Sequence, residues 1–579
     1  MALATIRALT MASEAKLLEA ALSWIAADPD SATRNALQGM VDAGDMEGLD
    51  LVMGEALAFG TAGIRGEVGP GSARMNRAMV IKTTAGLARY LHDQGRDKAP
   101  VVVGFDARPS SRQFAEDAVG VLAAAGIPVR YFPEVAPTPV VAFAARQMNA
   151  GAAVVVTASH NPPADNGYKV YSANAAQIIP PEDADIAAAI SGVGPANAVV
   201  RVEDAFATTH ELIDQIDESL YGDYYHAVDE TRPSPQTSNL TFVYTPMHGV
   251  GGRVLAEMFT RARHTGLTPV LSQFEPDGAF PTVSFPNPEE EGALDLALEL
   301  ASETQADAVL ANDPDADRLA TAVPHEGGWR LLSGNELGAL LGDYVLRRWN
   351  HDETPIVANS IVSSPILQRL AARHGAHHEV TLTGFKWIAN AGLALESGGV
   401  GRFAFGFEEA LGYTIGRTVR DKDGLSAALV FSDLVTEEQR SGRSVLDRLV
   451  DIWKGTGLWV SAQHSIVRPG PSGQSAIADA VRGLGDRPPS EVGEYQVTGV
   501  VDYRIGADDR PIWLGAQQLI ELQLGESGRV LVRPSGTEPK LKVYVDLSGE
   551  VGSHPHRAHA DLSAAARALA VWVGGSLGL

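Results

Sequence analysis

Apolar positions near the start of the chain recur at helical spacing. Between residues 13 and about 57, Leu17, Leu18, Ala21, Leu22 and Ile25 share one face, and Asp28-Pro29-Asp30-Ser31 reads as a stop followed by a fresh N-cap. These segments predict packing helices with no chemistry of their own. From residue 100 the pattern becomes short β-branched runs followed by helical stretches, the alternation that builds α/β layers on a parallel or mixed sheet.

One unit recurs three times. VVVGF at 101–105 leads through a helix from Phe114 to Ala125, then Gly126, to a strand at 129–131 and the loop PEVAPTP. LTFVYTP at 240–246 leads through HGVGG, a helix from Val254 to Arg263 and Gly266 to a strand PVLSQF and the loop EPDGAFP. PIVANS at 355–360 leads through a helix from Pro365 to Arg373 and Gly375 to a strand HHEVTL and the loop TGFK. The unequal spacing of the glycines excludes a short-period solenoid and predicts a divergent repeated domain, with chance likeness of βαβ units as the alternative. After about residue 460 the character changes. A linker-like RPGPSGQ (468–474), Pro488-Pro489, the strands VTGVVDY, RVLVRP and LKVYVDL and a closing helix DLSAAARALAVWV predict a small α+β domain with an antiparallel sheet.

Composition narrows the function. At about 150 residues per domain, 579 residues point to roughly four domains. A net charge of −25 argues against a general partner for nucleic acid or an anionic membrane, both of which need a positive footprint. An anionic small molecule remains possible if a local cluster of cations and N–H groups receives it. The absence of cysteine excludes disulfide frameworks, cysteine zinc sites and thiol nucleophiles, so a nucleophile must be oxygen or nitrogen. With no signal-peptide pattern and no apolar run of membrane-spanning length, cytoplasmic residence is expected.

Three stretches can carry chemistry. Ala152–Val156 is a buried-strand run that delivers Thr157-Ala158-Ser159-His160-Asn161-Pro162-Pro163 onto a loop kept out of helix by Asn-Pro-Pro. Ser159 is thereby placed for exposure, unless it is only a turn serine. After Ala164-Asp165-Asn166-Gly167, a hairpin through Tyr168-Lys169-Val170-Tyr171 could return Lys169 towards Ser159. That lysine either snorkels to solvent or is desolvated enough to shift its pKa towards acid/base use. The second stretch, Asp313-Pro314-Asp315-Ala316-Asp317-Arg318, lies between two strands. Its carboxylates, at alternate positions of an extended loop, project the same way and repel unless a cation sits among them. Oxygen-only ligands indicate Mg²⁺, with room for a phosphate oxygen, and a solvated acidic turn is the plainer alternative. An EF-hand is excluded, because Arg318 and Pro324 stand where Gly and Glu are required. The third stretch, Arg533-Pro534-Ser535-Gly536-Thr537-Glu538-Pro539-Lys540, offers hydroxyls, a glycine and flanking cations, either as a phosphate cradle or as a plain strand-connecting turn.

Two further segments are polar beyond the needs of packing. Gly406-Phe407-Glu408-Glu409-Ala410-Leu411-Gly412-Tyr413 presents paired carboxylates in a glycine-bounded loop suited to sugar hydroxyls, or else an acidic helix N-terminus. Phe59-Gly60-Thr61-Ala62-Gly63-Ile64-Arg65-Gly66 sets an arginine in a glycine-rich loop, as a phosphate contact or as a turn. Two familiar patterns fail. Val254 stands where a dinucleotide fingerprint starting at Gly249 needs Gly, and the elbow-like string ending at Gly578 has no room for its helix.

The motifs around Ser159, Asp313, Glu408 and Arg533, in this order, resemble those of the α-D-phosphohexomutase superfamily over residues from about 55 to 550. The resemblance implies an α/β fold of three related mixed-sheet domains plus a C-terminal α+β domain around a central cleft. The expected divisions are a helical extension at 1–54 packing on domain 1, and domains at 55–220, 221–328, 329–460 and 461–579. It further implies that Ser159 is a phosphoserine with His160 beside it. Asp313, Asp315, Asp317 and the phosphoserine oxygen would bind Mg²⁺, with Arg318 adjoining. Lys169 and Arg65 match positions for proton transfer or transition-state contact. Thr383, Gly384 and Lys386 match a loop that distinguishes sugar orientations, and Glu408 a carboxylate that holds ring hydroxyls. Arg533, Ser535, Gly536 and Thr537 match the site for the non-reacting phosphate.

The implied activity is reversible phosphoryl transfer between O1 and O6 of a hexose phosphate, glucose favoured, through a sugar 1,6-bisphosphate that also serves as activator. Such an intermediate must turn end over end, so an adjustable phosphate cradle on a mobile fourth domain is expected. Ala410 departs from the serine of many members, and with Val419-Arg420-Asp421-Lys422-Asp423-Gly424 it is similar to the phosphoglucomutase and phosphopentomutase branch. Phosphomannomutase and phosphopentomutase are the alternatives within the fold, a non-catalytic sugar-phosphate binder and a phosphohydrolase the alternatives outside it. The partner is a small sugar phosphate, with neither nucleic acid nor membrane, and the chain is a monomer or a homodimer.

Overall fold

Strands made of Val and Ala with no polar position to turn outward must be covered on both faces. The computed structural model describes residues 2–535 and 540–579, and the side chains of all these except 2–12, 470 and 471. The chain divides into two units. The first comprises Met1–Thr231, Ser238–Trp329 and Thr418–Leu429, the second Arg232–Thr237, Arg330–Arg417 and Val430–Leu579.

The first sheet contains β1 (Ile64–Glu67), β2 (Val101–Phe105), β3 (Val129–Tyr131), β4 (Ala152–Val156), β5 (Asp165–Tyr171) and β6 (Ile213–Gln215), in the order β1-β5-β4-β2-β3-β6. Every residue of β2 and β4 is buried. The second contains β7 (Phe242–Thr245), β8 (Leu267–Pro269), β9 (Ala308–Ala311), β10 (Ala320–His325) and β11 (Gly328–Leu331), in the order β11-β10-β9-β7-β8. The third contains β12 (Pro355–Ser360), β13 (His377–Thr381), β14 (Arg402–Glu408) and β15 (Gly412–Ile415), in the order β13-β12-β14-β15.

These sheets share one strand arrangement. The sets β3-β2-β4-β5, β8-β7-β9-β10 and β13-β12-β14-β15 have one order, with the first three strands parallel and the fourth antiparallel. The expected threefold repetition of a mixed α/β unit is therefore present. The reversal gives each repeat a short hairpin turn at the carboxyl end of its third strand, at residues 157–164, 312–319 and 409–411.

The last sheet is antiparallel throughout, as expected of an α+β domain. It joins β16 (Leu458–Val467), β19 (Gly499–Asp502), β20 (Ile520–Gln523), β21 (Gly528–Pro534) and β22 (Lys540–Gly549) in the order β16-β22-β21-β20-β19, beside a ribbon of β17 (Glu491–Val492) and β18 (Tyr495–Gln496). The helix Pro555–Ser576 packs on β16 and β22.

Three expectations need correction. PVLSQF is not a strand: β8 ends at Pro269, the Val270 N–H still reaches Tyr244 O of β7 at 2.9 Å, and Leu271–Phe274 then turns helical. Gln273 in that turn is buried between Thr245 and Thr282. RPGPSGQ is not a linker, since the helix Gly470–Asp486 begins within it after Pro469, whose fixed φ suits a helix start. Leu22 lies 46% exposed, off the apolar face of the N-terminal helices. Their core is Ala21, Leu37, Leu49, Val52 and Met53. Asp30 caps the second of these helices, Ser31–Ala43, as the sequence indicates. Trp24 packs against Ala78, Ile81 and Val121 of the first α/β layer.

In the third repeat His378 stands on the edge strand β13, its Nε2 2.6 Å from Asn359 Oδ1 of β12. Burial, followed by the charges of His377 and Arg529, presses its pKa from 6.5 down to about 4. Between those values the unfolded chain binds a proton that the folded chain refuses, so stability rises with pH through this window. Thermal melts should show stability complete above about pH 6.5 and falling towards pH 4. His378→Gln, which keeps a donor and cannot take the proton, should flatten that slope; an unchanged slope contradicts the assignment.

Candidate active site

The first repeat's turn is held by polar groups at both ends. Ser159 is a non-glycine residue at φ +51° and only 4% exposed, a left-handed conformation that costs about 1–3 kcal/mol and persists where surroundings over-determine it. Its N–H donates to Thr157 Oγ1 at 2.8 Å, and Thr157 Oγ1 donates to Asp106 Oδ2 at 2.7 Å. The Ser159 hydroxyl donates to Asp313 Oδ2 at 2.9 Å and lies 3.2 Å from His160 Nδ1.

The second repeat's turn supplies the acidic partners. Asp313, Asp315 and Asp317 are at most 1% exposed, with one oxygen from each within 4.8 Å of the others. The loop is not extended as the alternating spacing suggests. Ala316 turns left-handed at φ +60° and its N–H returns to Asp313 O at 2.9 Å, so a turn brings the carboxylates together. Asp313 Oδ1 accepts the N–H of Arg318 at 3.0 Å. Thr138, which opens the helix after the Pro-rich loop of the first repeat, holds Asp315 twice: its N–H on Asp315 O at 3.0 Å and its hydroxyl on Asp315 Oδ2 at 2.8 Å.

Two ammonium groups face the same carboxylates. Lys169 is carried back by the β4–β5 hairpin, in which it pairs with Val155, and its Nζ lies 2.7 Å from Asp315 Oδ2 and 3.2 Å from Asp317 Oδ2. It is 6% exposed, so it does not snorkel. Burial works against its charge, but Asp315 and Asp317 outweigh it and hold the pKa above the usual lysine value, opposite to the downward shift considered from the sequence. Lys422 Nζ lies 3.2 Å from Asp317 Oδ2 and 3.4 Å from Asp421 Oδ1.

These cations decide the titration of the cluster. Burial and the other two aspartates push Asp313 well above the ordinary carboxylate range. For Asp315 burial is outweighed by Lys169 and Thr138, and for Asp317 burial and Asp315 are outweighed by Lys169 and Lys422, so both fall. Burial, followed by Arg318 and Arg65, presses His160 well below 6.5, leaving a neutral imidazole at neutral pH. Phe285 meets that ring edge-on at 6.5 Å.

Arg65 stands in strand β1 and not in a glycine-rich loop. Gly63, at φ +77°, makes the turn and approaches Tyr168 O too closely for any Cβ, after which the chain runs extended. Arg65 Nη1 donates to Asn161 Oδ1 at 3.0 Å. Unit 1 thus brings together Ser159, His160, Lys169, Arg65, Asp313, Asp315, Asp317 and Arg318.

Unit 2 holds the remaining described candidates. Glu408 is the last residue of β14, placed neither in a loop nor at a helix N-terminus, and it leads into the third repeat's turn, where Leu411 has φ +63°. Its Oε1 accepts the N–H of Gly384 at 2.7 Å, and Gly384 itself has φ +117°. Glu409 turns inward, its Oε2 accepting from Ser360 at 3.1 Å and Ser363 at 2.9 Å. Thr383 Oγ1 and Arg533 Nε are buried with no hydrogen-bond partner among the described residues. Lys386 sits in the first turn of the helix Phe385–Ser397. Tyr544 lies under Arg533, 6.0 Å from Cζ to ring centroid. Burial, followed by Glu409, raises its pKa to about 12, Glu408 adding to the rise and Arg533 opposing it. Ser535 N–H donates to Lys540 O at 2.8 Å, while Gly536 and Thr537 lie outside the described residues.

The acidic cluster fits a hard divalent cation. Its donors are all carboxylate oxygens, and Asp315 Oδ1 and Asp317 Oδ1 are buried without a hydrogen-bond partner, a cost that a cation removes. Asp106, Arg108 and Thr138 were not picked out from sequence, and Thr157 and Lys422 stood in motifs with no role of their own. The Asp-x-Arg after β2, at the strand edge where α/β sites lie, was the available signal for the first two.

Four family models match the chain in order. They are the phosphoglucomutase/phosphomannomutase alpha/beta/alpha domain I over residues 56–194, domain II over 222–328, domain III over 333–453 and the C-terminal domain over 500–550. A Haemophilus influenzae protein named "Probable phosphomannomutase" is 41% identical over 484 residues, 82% of this chain and 93% of that one. The human phosphopentomutase is 35% identical over 573 residues, 94% and 93% of the two chains. A Staphylococcus epidermidis phosphoglucomutase is 32% identical over 537 residues, 91% and 96%. Among solved structures, the Paramecium phosphoprotein parafusin, a phosphoglucomutase in an open form, superposes with a TM-score of 0.69 at 18% identity, covering 89% of this chain and 95% of that one.

The cation fit is open to a direct test. Mg²⁺ or Mn²⁺ titrated into the chain should raise its melting temperature, by about 3 kcal/mol of stabilisation at a hundredfold excess over Kd. Asp317→Asn should abolish that response while the variant stays folded. A melting curve insensitive to both ions overturns the assignment.

Proposed function

The chain belongs to the phosphoglucomutase/phosphomannomutase family and is an enzyme of that mutase type, and from this premise we propose that Ser159 gives and receives the phosphoryl group. The observation that carries the reading is the Ser159 hydroxyl, 2.9 Å from Asp313 in a buried cluster that retains two unpartnered carboxylate oxygens.

Phosphoryl transfer is mainly positioning and charge neutralisation. A divalent ion held by Asp313, Asp315 and Asp317, with a phosphoryl oxygen on Ser159 as a further ligand, would supply neutralisation at the transferring group. In the forward half-reaction the bond from Ser159 Oγ to phosphorus breaks, a sugar hydroxyl oxygen bonds to phosphorus, and the hydroxyl proton passes through a base to Ser159 Oγ. The product is a sugar bisphosphate. After it turns, its other phosphate returns to Ser159 Oγ, and the departing sugar oxygen recovers a proton.

His160, neutral and 3.2 Å from Ser159 Oγ, is suited to hold that proton. Lys169, kept protonated by its two aspartates, is suited to charge contact or proton donation. Arg65 and Arg318 add positive charge for the equatorial oxygens. In unit 2 we assign sugar hydroxyls to Thr383, Gly384, Lys386 and Glu408, and the non-reacting phosphate to Arg533, Ser535, Gly536 and Thr537.

The leading substrate pair is glucose 1-phosphate and glucose 6-phosphate, with glucose 1,6-bisphosphate as activator. A pentose phosphate is the second reading, favoured by 35% identity to the human phosphopentomutase over 94% of this chain. Purified protein assayed on glucose, mannose and ribose 1-phosphates, each with a trace of the bisphosphate, should turn over the glucose ester fastest. Higher kcat/KM on ribose 1-phosphate transfers the assignment to the pentose, and isomerisation of none of the three overturns the proposal. Mass spectrometry should find one phosphoryl group on the Ser159 peptide and none after Ser159→Ala.

A further inference from the structure

Arg108 has no part in the chemistry assigned above, yet its side chain is given over to the Ser159 turn. It lies three residues past the end of β2 and is 2% exposed. Nη1 donates to Pro162 O at 2.6 Å and Asp165 O at 2.8 Å; Nη2 donates to Ser159 O at 2.8 Å and Asn161 O at 2.6 Å. One guanidinium therefore gathers three carbonyls of the turn and that of the first residue of β5.

Its own placement is fixed from three sides. Asp106 Oδ2 lies 3.2 Å from Arg108 Nε, and Asp106 Oδ1 accepts the Arg108 N–H at 3.0 Å. The ring of Phe280, from the second repeat, covers the guanidinium with its centroid 5.2 Å from Cζ. Asp106 also receives Thr157 Oγ1, which in turn holds the N–H of Ser159. The peptide groups on both sides of Ser159 are thus tied to one Asp-Arg pair, one through Thr157 and the other directly.

That arrangement explains how a serine stays at φ +51°. We infer that Arg108 is a positioning residue for phosphoryl transfer: it sets the Ser159 backbone so that Oγ stays aligned on Asp313. The inference rests on the reading of Ser159 as phosphoryl carrier. Lysine cannot replace the clamp, because a point ammonium with three donors cannot span four carbonyls in the plane of a guanidinium.

The test compares Arg108→Lys and Arg108→Ala with the wild type by steady-state kinetics, melting temperature and intact mass. A displaced turn costs rate more than affinity, so folded Arg108→Lys should lose about 100-fold in kcat with KM changed less than about threefold. Added guanidinium should restore part of the Arg108→Ala rate and leave Arg108→Lys unchanged. If Arg108→Ala does not fold, the kinetics of Arg108→Lys decide. A folded Arg108→Lys with kcat within about twofold of wild type overturns the inference, as does a loss that only follows the unfolded fraction. A wild type with no phosphoryl group on Ser159 overturns the reading beneath it, a result separable from an unimpaired Arg108→Lys in a phosphorylated background.

Discussion

Three aspartates buried within a few ångströms of one another repel strongly in a medium that screens charge poorly. Unit 1 answers with groups from separate parts of the chain. Lys169 arrives from β5, Lys422 from the segment Thr418–Leu429, Thr138 from the start of a helix, and the Ser159 hydroxyl from a hairpin turn. Asp313 takes the main chain of Arg318. Asp315 Oδ2 is shared by Lys169 and Thr138 and Asp317 Oδ2 by Lys169 and Lys422, so the fold around the cluster and the charge within it constrain each other.

The repeat explains why the functional groups lie where they do. In each α/β unit the fourth strand reverses direction, which leaves a tight turn at the carboxyl end of the third. In each of these turns one non-glycine residue takes a left-handed backbone: Ser159, Ala316 and Leu411. Equivalent places hold a hydroxyl in the first repeat, the carboxylate triad in the second and the Glu408-Glu409 pair in the third. The pair itself divides its work. Glu409 is bound to Ser360 and Ser363, while Glu408 holds Gly384 through one oxygen.

Most of this architecture was legible as pattern. The fully buried strands show as unbroken apolar runs, the repeat as three similar successions, and the turns as Asn-Pro-Pro and Asp-Pro-Asp strings. What escaped depends on partners remote in the chain. The direction of the Lys169 shift is set by aspartates 146 and 148 positions away, so a local reading of a lysine between Tyr and Val could not decide it. Lys422 and Thr138 look like ordinary loop residues until Asp317 and Asp315 are beside them. Arg65 was misplaced because the glycines around it suggested a loop, whereas only Gly63 turns and the following residues pair with β5. PVLSQF misled because nothing local shows that Gln273 will be bonded to Thr245 and Thr282 once the chain folds.

The path of the chain has a consequence for how such a protein can be divided. Residues 418–429 belong to unit 1, although the chain on either side of them belongs to unit 2. Asp421 in that segment accepts the hydroxyl of Tyr171, and Asp423 that of Tyr224. A gene cut after residue 329 would therefore encode a first half in which Tyr171 and Tyr224 lose the carboxylates that accept their hydroxyls and the acidic cluster lacks one of its ammonium groups. Neither unit is a contiguous stretch of sequence, so recombination at a single crossover cannot exchange one while leaving the other whole. The pieces are modular in topology, but they are inherited together.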